Sequence, residues 1–155
     1  PRINLLQPGI GVGGHCIPID PFFLIKNEFQ NFKILNSSIK ANNLRTKFIT
    51  NIIQSNIKKN KIKEINFFGA TYKADVADFR QSPSLKIISK FSKLKKIKIN
   101  IHDPYILNNT LINKKNFNIN PKIKLNKKFL LNVLLVSHKK YKKIKKISKI
   151  LDFTF

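Results

Sequence analysis

Residues 62–104, IKEINFFGATYKADVADFRQSPSLKIISKFSKLKKIKINIHDP, decide the fold. The apolar run Ile62–Phe68, closed by Gly69, has the length and the β-branched and aromatic content of a buried strand. A polar loop follows to Gln81. Ser82-Pro83 then supplies an N-cap and a first helical residue with φ already set, predicting a helix to about Leu94. Ile97–Ile101 is a second strand, stopped by His102-Asp103-Pro104. A strand, a helix and a strand in so short a span predict a βαβ unit, whose crossover makes the two strands parallel.

The same alternation continues toward the C-terminus. Residues 105–129 are less regular, Leu130–Ser137 reads as a third strand, and Ile150–Phe153 opens a fourth. Between them Lys139–Lys149 reads as a helix with lysines on its solvated face and Tyr141, Ile144, Ile147 and Leu151 turned inward. Upstream, Leu44, Phe48, Ile49, Ile52, Ile53 and Ile57 share one face of a long amphipathic helix over Ile34–Lys59. Asp20-Pro21 fits the N-cap and first residue of a short helix through Phe22–Phe29, and Arg2–Leu6 a short extended segment. The expected class is therefore α/β. A glycine loop and helical linker occupy residues 1–60, and a Rossmann-like, mostly parallel sheet occupies 61–155.

Composition narrows the function. The chain has 155 residues, 31 Lys and Arg against seven Asp and Glu, and a net charge of +24. Such an excess is the usual footprint of a polyanion partner, and a basic α/β module that binds nucleic acid is the alternative in a different class. Against it, Arg2, Arg45 and Arg80 are the only arginines, whereas nucleic-acid readers rely on Arg for bidentate contacts. The excess is compositional, and no specific nucleic-acid role is expected. No apolar run approaches the roughly 20 residues of a membrane span. One Cys and three scattered His exclude a disulfide framework and leave no zinc-ligand spacing, so no metal is expected. The chain starts at Pro1 and contains no Met, which reads as a piece of a longer polypeptide.

The chemistry concentrates near the start. Gly9, Gly11, Gly13 and Gly14 fall with Pro8 and Pro18 in one loop. Gly9, Gly11 and Gly14 satisfy the spacing of a dinucleotide turn. Pro18 and Pro21 would break the long helix such a turn opens, so the glycines serve a different loop, one whose bare backbone can approach a phosphate or sugar. Cys16 precedes a predicted helix start, where a thiolate is favoured. It is a candidate nucleophile, beside the plainer alternative of a small buried residue. His15 has no ligand-spaced partner and reads as a loop hydrogen-bonder.

Arg2-Ile3-Asn4 after Pro1, the run Gln7–Phe23 (QPGIGVGGHCIPIDPFF) and the later Phe68-Gly69-Ala70-Thr71-Tyr72-Lys73 with Asp78-Phe79-Arg80-Gln81-Ser82-Pro83 together resemble the UDP-glucose/GDP-mannose dehydrogenase family. The P-R-x-N and G-V-G-G-H-C runs are most similar to its branch acting on UDP-N-acetyl-D-mannosamine. The resemblance implies a cytoplasmic, NAD-dependent dehydrogenase that oxidises C6 of a UDP-sugar to a carboxylate in two hydride transfers. Within it Cys16 matches the nucleophile and Asp20 the carboxylate that activates water, a role its N-cap position competes with. Arg2, Gly13, Tyr72 and Lys73 match contacts to the UDP-sugar, and Arg80 a contact to NAD. Ile19 stands where UDP-glucose enzymes usually carry Lys, which disfavours that branch. UDP-N-acetylglucosamine and UDP-glucose remain the alternative substrates. The NAD-binding domain of such enzymes would precede Pro1, so the partners implied are a UDP-sugar, that N-terminal half, and a second copy in a homodimer.

Overall fold

The computed structural model describes residues 9–25, 32–94, 96–105, 118–119, 125, 127–146 and 149–154. In chain order these form α1 (Asp20–Ile25), α2 (Lys33–Lys59), β1 (Glu64–Phe68), α3 (Pro83–Phe91), β2 (Lys98–His102), β3 (Asn118–Ile119), β4 (Leu130–Leu134) and β5 (Ile150–Asp152). The strands make one sheet in the order β3-β2-β1-β4-β5 with every pairing parallel. The expected Rossmann-like class is what the chain adopts. The order reverses between β1 and β4, where an open α/β sheet places its binding crevice outside the carboxyl ends of the strands.

One face of the sheet carries Ile65, Phe67, Ile99, Ile101, Leu131 and Val133, all buried against α2 and α3. The helices meet them with Ile49 and Ile53 from α2 and Ile87, Ile88 and Phe91 from α3, and the Phe67 and Phe91 rings lie 5.6 Å apart. Ser82 is the predicted cap: its Oγ accepts the Leu85 N–H at 3.3 Å and donates to the Ala70 carbonyl at 2.7 Å. One hydroxyl thus starts α3 and ties that start to the end of β1.

The opposite face is polar at its centre. Asn66, Asn100 and Asn132 stand at matching register positions on the three neighbouring strands. Asn100 Nδ2 donates to Asn66 Oδ1 and Asn66 Nδ2 to Asn132 Oδ1, each at 2.9 Å, and Asn132 Nδ2 donates to the Leu125 carbonyl at 3.0 Å. These amides are nearly inaccessible to water. A one-residue slip of any of the three strands would turn its Asn to the apolar face and break at least one bond of the row.

Three expectations change. The lysine-rich segment forms two 3-10 turns, Lys139–Tyr141 and Ile144–Lys146, in place of a helix. Lysines at 139, 140, 142, 143 and 146 would repel at helical spacing. Tyr141 and Ile144 are buried as expected, but Leu151 belongs to β5 and Ile147 lies outside the described residues. Asp20 is the first residue of α1 and its N–H donates to the Cys16 carbonyl, so it is not the cap; the predicted residues beyond Ile25 fall outside the described ones. On α2, Ile49 and Ile53 are buried and Ile52 and Ile57 pack against the core, while Leu44 and Phe48 stay 52% and 56% exposed. The sheet backs only the C-terminal part of this helix.

Glu64 is the charged end of the polar face. Its carboxylate accepts Lys127 Nζ at 2.6 Å and Asn100 Nδ2 at 2.9 Å, with Lys98 Nζ at 3.4 Å. The Lys127 hydrogen bond, assisted by Asn100 and Lys98, outweighs burial and draws the carboxyl from 4.5 down to about 2. A depressed carboxyl stabilises the fold fully above pH 4.5, and the contribution disappears as pH falls toward 2. Glu64→Gln should therefore cost about 1–2 kcal/mol at pH 7 and flatten the loss of stability between pH 4.5 and 2 in urea melts. An unchanged slope in that window would rule Glu64 out as its source.

Candidate active site

The site is built at the carboxyl edge of the sheet by two segments distant in sequence, the glycine loop 9–19 and the loop 69–82 that joins β1 to α3. Gly69 lets β1 end against β4. Its φ is +85°, and a Cβ there would lie 2.5 Å from Val136 Cβ and 2.6 Å from the Val136 carbonyl oxygen. The close approach allows the Leu135 N–H to donate to the Phe68 carbonyl at 2.9 Å.

The glycine loop is pinned from two sides. Asn42 on α2 takes both polar groups of Val12: the Val12 N–H donates to Asn42 Oδ1 at 2.7 Å, and Asn42 Nδ2 donates to the Val12 carbonyl at 3.1 Å. Arg45 Nε donates to the Gly9 carbonyl at 2.9 Å. On the other side the Gly14 N–H donates to the Arg80 carbonyl at 3.1 Å. Gly13 is buried in the seam, and a Cβ there would lie 2.7 Å from Pro83 Cδ and 2.8 Å from both the Gln81 carbonyl oxygen and Tyr72 Cβ. Gly13, matched by resemblance to a substrate contact, thus has a packing role of its own.

Past the seam the loop turns outward. Cys16 is exposed, and its carbonyl accepts the N–H groups of Ile19 at 2.8 Å and Asp20 at 2.9 Å. That turn joins the candidate nucleophile to Asp20, which is also exposed. Beside the turn lies a groove of about 620 Å³ formed among others by Val12, Ile17, Pro18, Phe22 and Asn42, a volume in the range of small-ligand sites.

Arg80 lies over the same seam. Its Nε and Nη2 fork onto the Asp78 carboxylate at 2.6–3.0 Å, and His15 Nδ1 stands 4.0 Å from that carboxylate. The Arg80 hydrogen bonds, helped by the nearby His15, hold Asp78 at about 2 against an ordinary 3.8. Asp78 in turn raises the affinity of Arg80 for its proton. Of the five guanidinium donors the fork uses two, and the side chain remains 56% exposed. Tyr72 is half-buried with its ring against Gly14, and Lys73 is exposed, with no carboxylate in ion-pair reach among the described residues. Arg2 lies outside the described residues.

The structure adds a group that sequence reasoning did not single out. Asp103, just after β2, and His138, after β4, are buried together with His138 Nε2 3.1 Å from Asp103 Oδ2, under the Thr71–Asp75 loop. The signal available was position: a polar residue directly after a buried parallel strand faces the crevice edge. Among the described residues no cluster of His, Cys, Asp and Glu is arranged to hold a metal, and no helix is long and apolar enough to cross a membrane.

Residues 66–154 match the UDP-glucose/GDP-mannose dehydrogenase family, UDP binding domain, and residues 1–44 match the central domain of the same family. A UDP-N-acetyl-D-mannosamine dehydrogenase of Methanococcus vannielii is 41% identical over 107 residues, 68% of this chain and 25% of the relative. An NDP-N-acetyl-D-galactosaminuronic acid dehydrogenase of Ralstonia solanacearum is 29% identical over 146 residues, 93% of this chain and 34% of that protein. Among solved structures, the UDP-N-acetyl-mannosamine dehydrogenase Cap5O of Staphylococcus aureus superposes with a TM-score of 0.65 at 27% identity, over 97% of this chain and 35% of that one. The chain therefore spans about a quarter to a third of the length of these relatives.

The seam makes one position decisive. Gly13→Ala places a methyl group against a proline ring and a backbone carbonyl that cannot rotate away, and should cost about 1–3 kcal/mol. The checks are the urea midpoint and the rate at which Cys16 reacts with a thiol reagent, since an undocked loop alters both. Neither changing would show that the loop does not dock as described.

Proposed function

Because the chain belongs to the UDP-glucose/GDP-mannose dehydrogenase family, we propose that it is the part of an NAD-dependent UDP-N-acetyl-D-mannosamine 6-dehydrogenase that holds the UDP-sugar and supplies the nucleophile. The observation that carries the proposal is the clasp of the glycine loop on the β1–α3 loop: Gly14 bonds to Arg80, Gly13 wedges against Tyr72, and Cys16 emerges exposed two residues beyond that bond.

The first oxidation takes the C6 alcohol to the aldehyde. The Cys16 thiolate then adds to the aldehyde carbon, forming the C–S bond of a thiohemiacetal. Loss of hydride from that carbon, with the hydroxyl proton released, leaves a Cys16 thioester. Water attacks the thioester, the C–S bond breaks, and the carboxylate departs with the water oxygen. Asp20, four residues on and bonded through its N–H to the Cys16 carbonyl, is the group assigned to take the water proton. NAD, held with an NAD-binding half, would supply the hydride acceptor for both oxidations.

Lys73 and Tyr72 offer the surface for the UDP-sugar, where an ammonium with no carboxylate in reach among the described residues suits a diphosphate; Gly13 sets the backbone beneath it, and Arg2 is assigned there by the family resemblance alone. Arg80 keeps guanidinium donors beyond those engaged by Asp78, which fits a phosphate of the dinucleotide presented by an NAD-binding half. Residues 1–60 then act as the cysteine loop and linker and 61–155 as the UDP-sugar domain. The exposed Ile34, Leu44 and Phe48 on α2 support assembly as a homodimer. The site of action is the cytoplasm, where nucleotide sugars and NAD are available. The Ralstonia relative keeps other N-acetylated nucleotide sugars on the panel, and turnover on UDP-N-acetylmannosamine, UDP-N-acetylglucosamine and UDP-glucose decides among them.

In the complete enzyme, formed with an NAD-binding half, Cys16→Ser should reduce uronate formation on the order of a thousandfold while UDP still binds. Undiminished uronate would remove Cys16 from the mechanism. Lys73→Ala should raise KM for the UDP-sugar about tenfold and leave KM for NAD within about twofold. Equal loss for both would instead indicate a folding defect.

A further inference from the structure

We propose that His138 and Asp103 are positioning residues: a fully buried pair that sets the Thr71–Asp75 loop so that Tyr72 and Lys73 meet the diphosphate of a nucleotide sugar. The proposal rests on the reading of that loop as part of the UDP-sugar site.

The hydrogen bonds run from the ends of β2 and β4 into the loop that follows β1. His138 Nδ1 accepts the Asp75 N–H at 2.9 Å, which leaves the ring proton on Nε2. Nε2 stands 3.1 Å from Asp103 Oδ2 and 3.2 Å from Thr71 Oγ1. The Thr71 hydroxyl spends its own proton on the Lys73 carbonyl at 2.9 Å, so toward His138 it can only accept. Asp103 Oδ2 also accepts the N–H groups of Ala70 at 2.7 Å and Thr71 at 3.3 Å, and Oδ1 accepts that of Tyr105 at 2.8 Å. Backbone groups of residues 70, 71, 73 and 75 are thus all bonded to the pair directly or through one hydroxyl.

The ring itself is boxed. Tyr105 lies 5.5 Å from it and Tyr141 5.4 Å, edge on, with the Tyr141 hydroxyl donating to the His102 carbonyl at 2.6 Å. Burial tends to raise the Asp103 carboxyl, but the bonds from His138, Ala70 and Tyr105 prevail and hold it below its ordinary range. Both side chains are fully shielded from solvent, so neither can touch a substrate. A buried polar pair is a poor source of stability compared with apolar packing, and its distinctive effect is to impose one geometry. What it imposes is the path of an exposed loop. Asp75 completes the clasp from outside: it sits at φ +58° and its Oδ1 accepts the Lys139 N–H at 3.0 Å.

The test is UDP binding by the chain, measured by calorimetry well below each variant's melting temperature, so that stability and affinity are read separately. Wild type should bind UDP, and Lys73→Ala should weaken it. His138→Gln, which keeps an amide donor for Asp103 but loses the acceptor for Asp75, should raise Kd roughly tenfold or more. Asp75→Ala should raise it about fivefold, whereas Asp75→Asn, which tolerates the left-handed backbone and keeps the acceptor, should stay within about twofold. Variants that melt earlier yet bind UDP as wild type does would overturn the positioning role and leave the site reading standing. If His138→Gln does not fold, equal affinity of the two Asp75 variants would overturn it instead. Absence of UDP binding by wild type, or no effect of Lys73→Ala, would sink the site reading and the proposal with it.

Discussion

Everything at the carboxyl edge of this protein depends on the register of three parallel strands. β1, β2 and β4 all place their final residues level: Phe68 pairs with His102 on one side and Leu134 on the other. The row Asn100–Asn66–Asn132 favours that register from within, because its amide-to-amide bonds form only when the strands are aligned. Level strand ends bring Gly69, Asp103 and the 135–138 segment into contact. From there follow the Gly69–Val136 approach, the Asp103–His138 pair and the path of the loop above them.

A second constraint joins the glycine loop to this platform. Asn42 and Arg45 bind that loop to α2, and the seam at Gly13 and Gly14 binds it to the β1–α3 loop. α2 is itself packed on the sheet through Ile49 and Ile53. The exposed Cys16 is therefore carried on a loop held from both sides, as the proposed nucleophile would have to be.

The charge of the chain has a corresponding economy. Only seven carboxylates face 31 basic residues. Glu64 binds Lys127 and Asn100, Asp75 the Lys139 N–H, Asp78 Arg80, and Asp103 His138, while Asp152 accepts from Thr154. Apart from Asp20 and Glu28, the latter outside the described residues, each carboxylate holds a turn, a strand end or a loop. The surface is left cationic, and an anionic nucleotide meets mainly attraction.

The α/β class, the parallel sheet, Ser82 as a cap and the amphipathic α2 were legible in the sequence, because strand and helix periods and capping chemistry are local properties of the chain. Cys16, Tyr72, Lys73 and Arg80 stood out through motifs, and the fold places Cys16 at the surface. The segment 139–146 shows the limit of periodicity: the inward Tyr141 and Ile144 satisfied it, but a row of repelling lysines did not sustain α-helical turns. The uncovered Leu44 and Phe48 show another, since a stripe does not say how much of it the fold covers. Residue types and their spacing determined the elements and the candidate chemistry. The asparagine row, the Gly13 seam and the Asp103–His138 pair were decided only by tertiary structure, because each joins residues about 30 to 70 positions apart whose meeting depends on strand order and register.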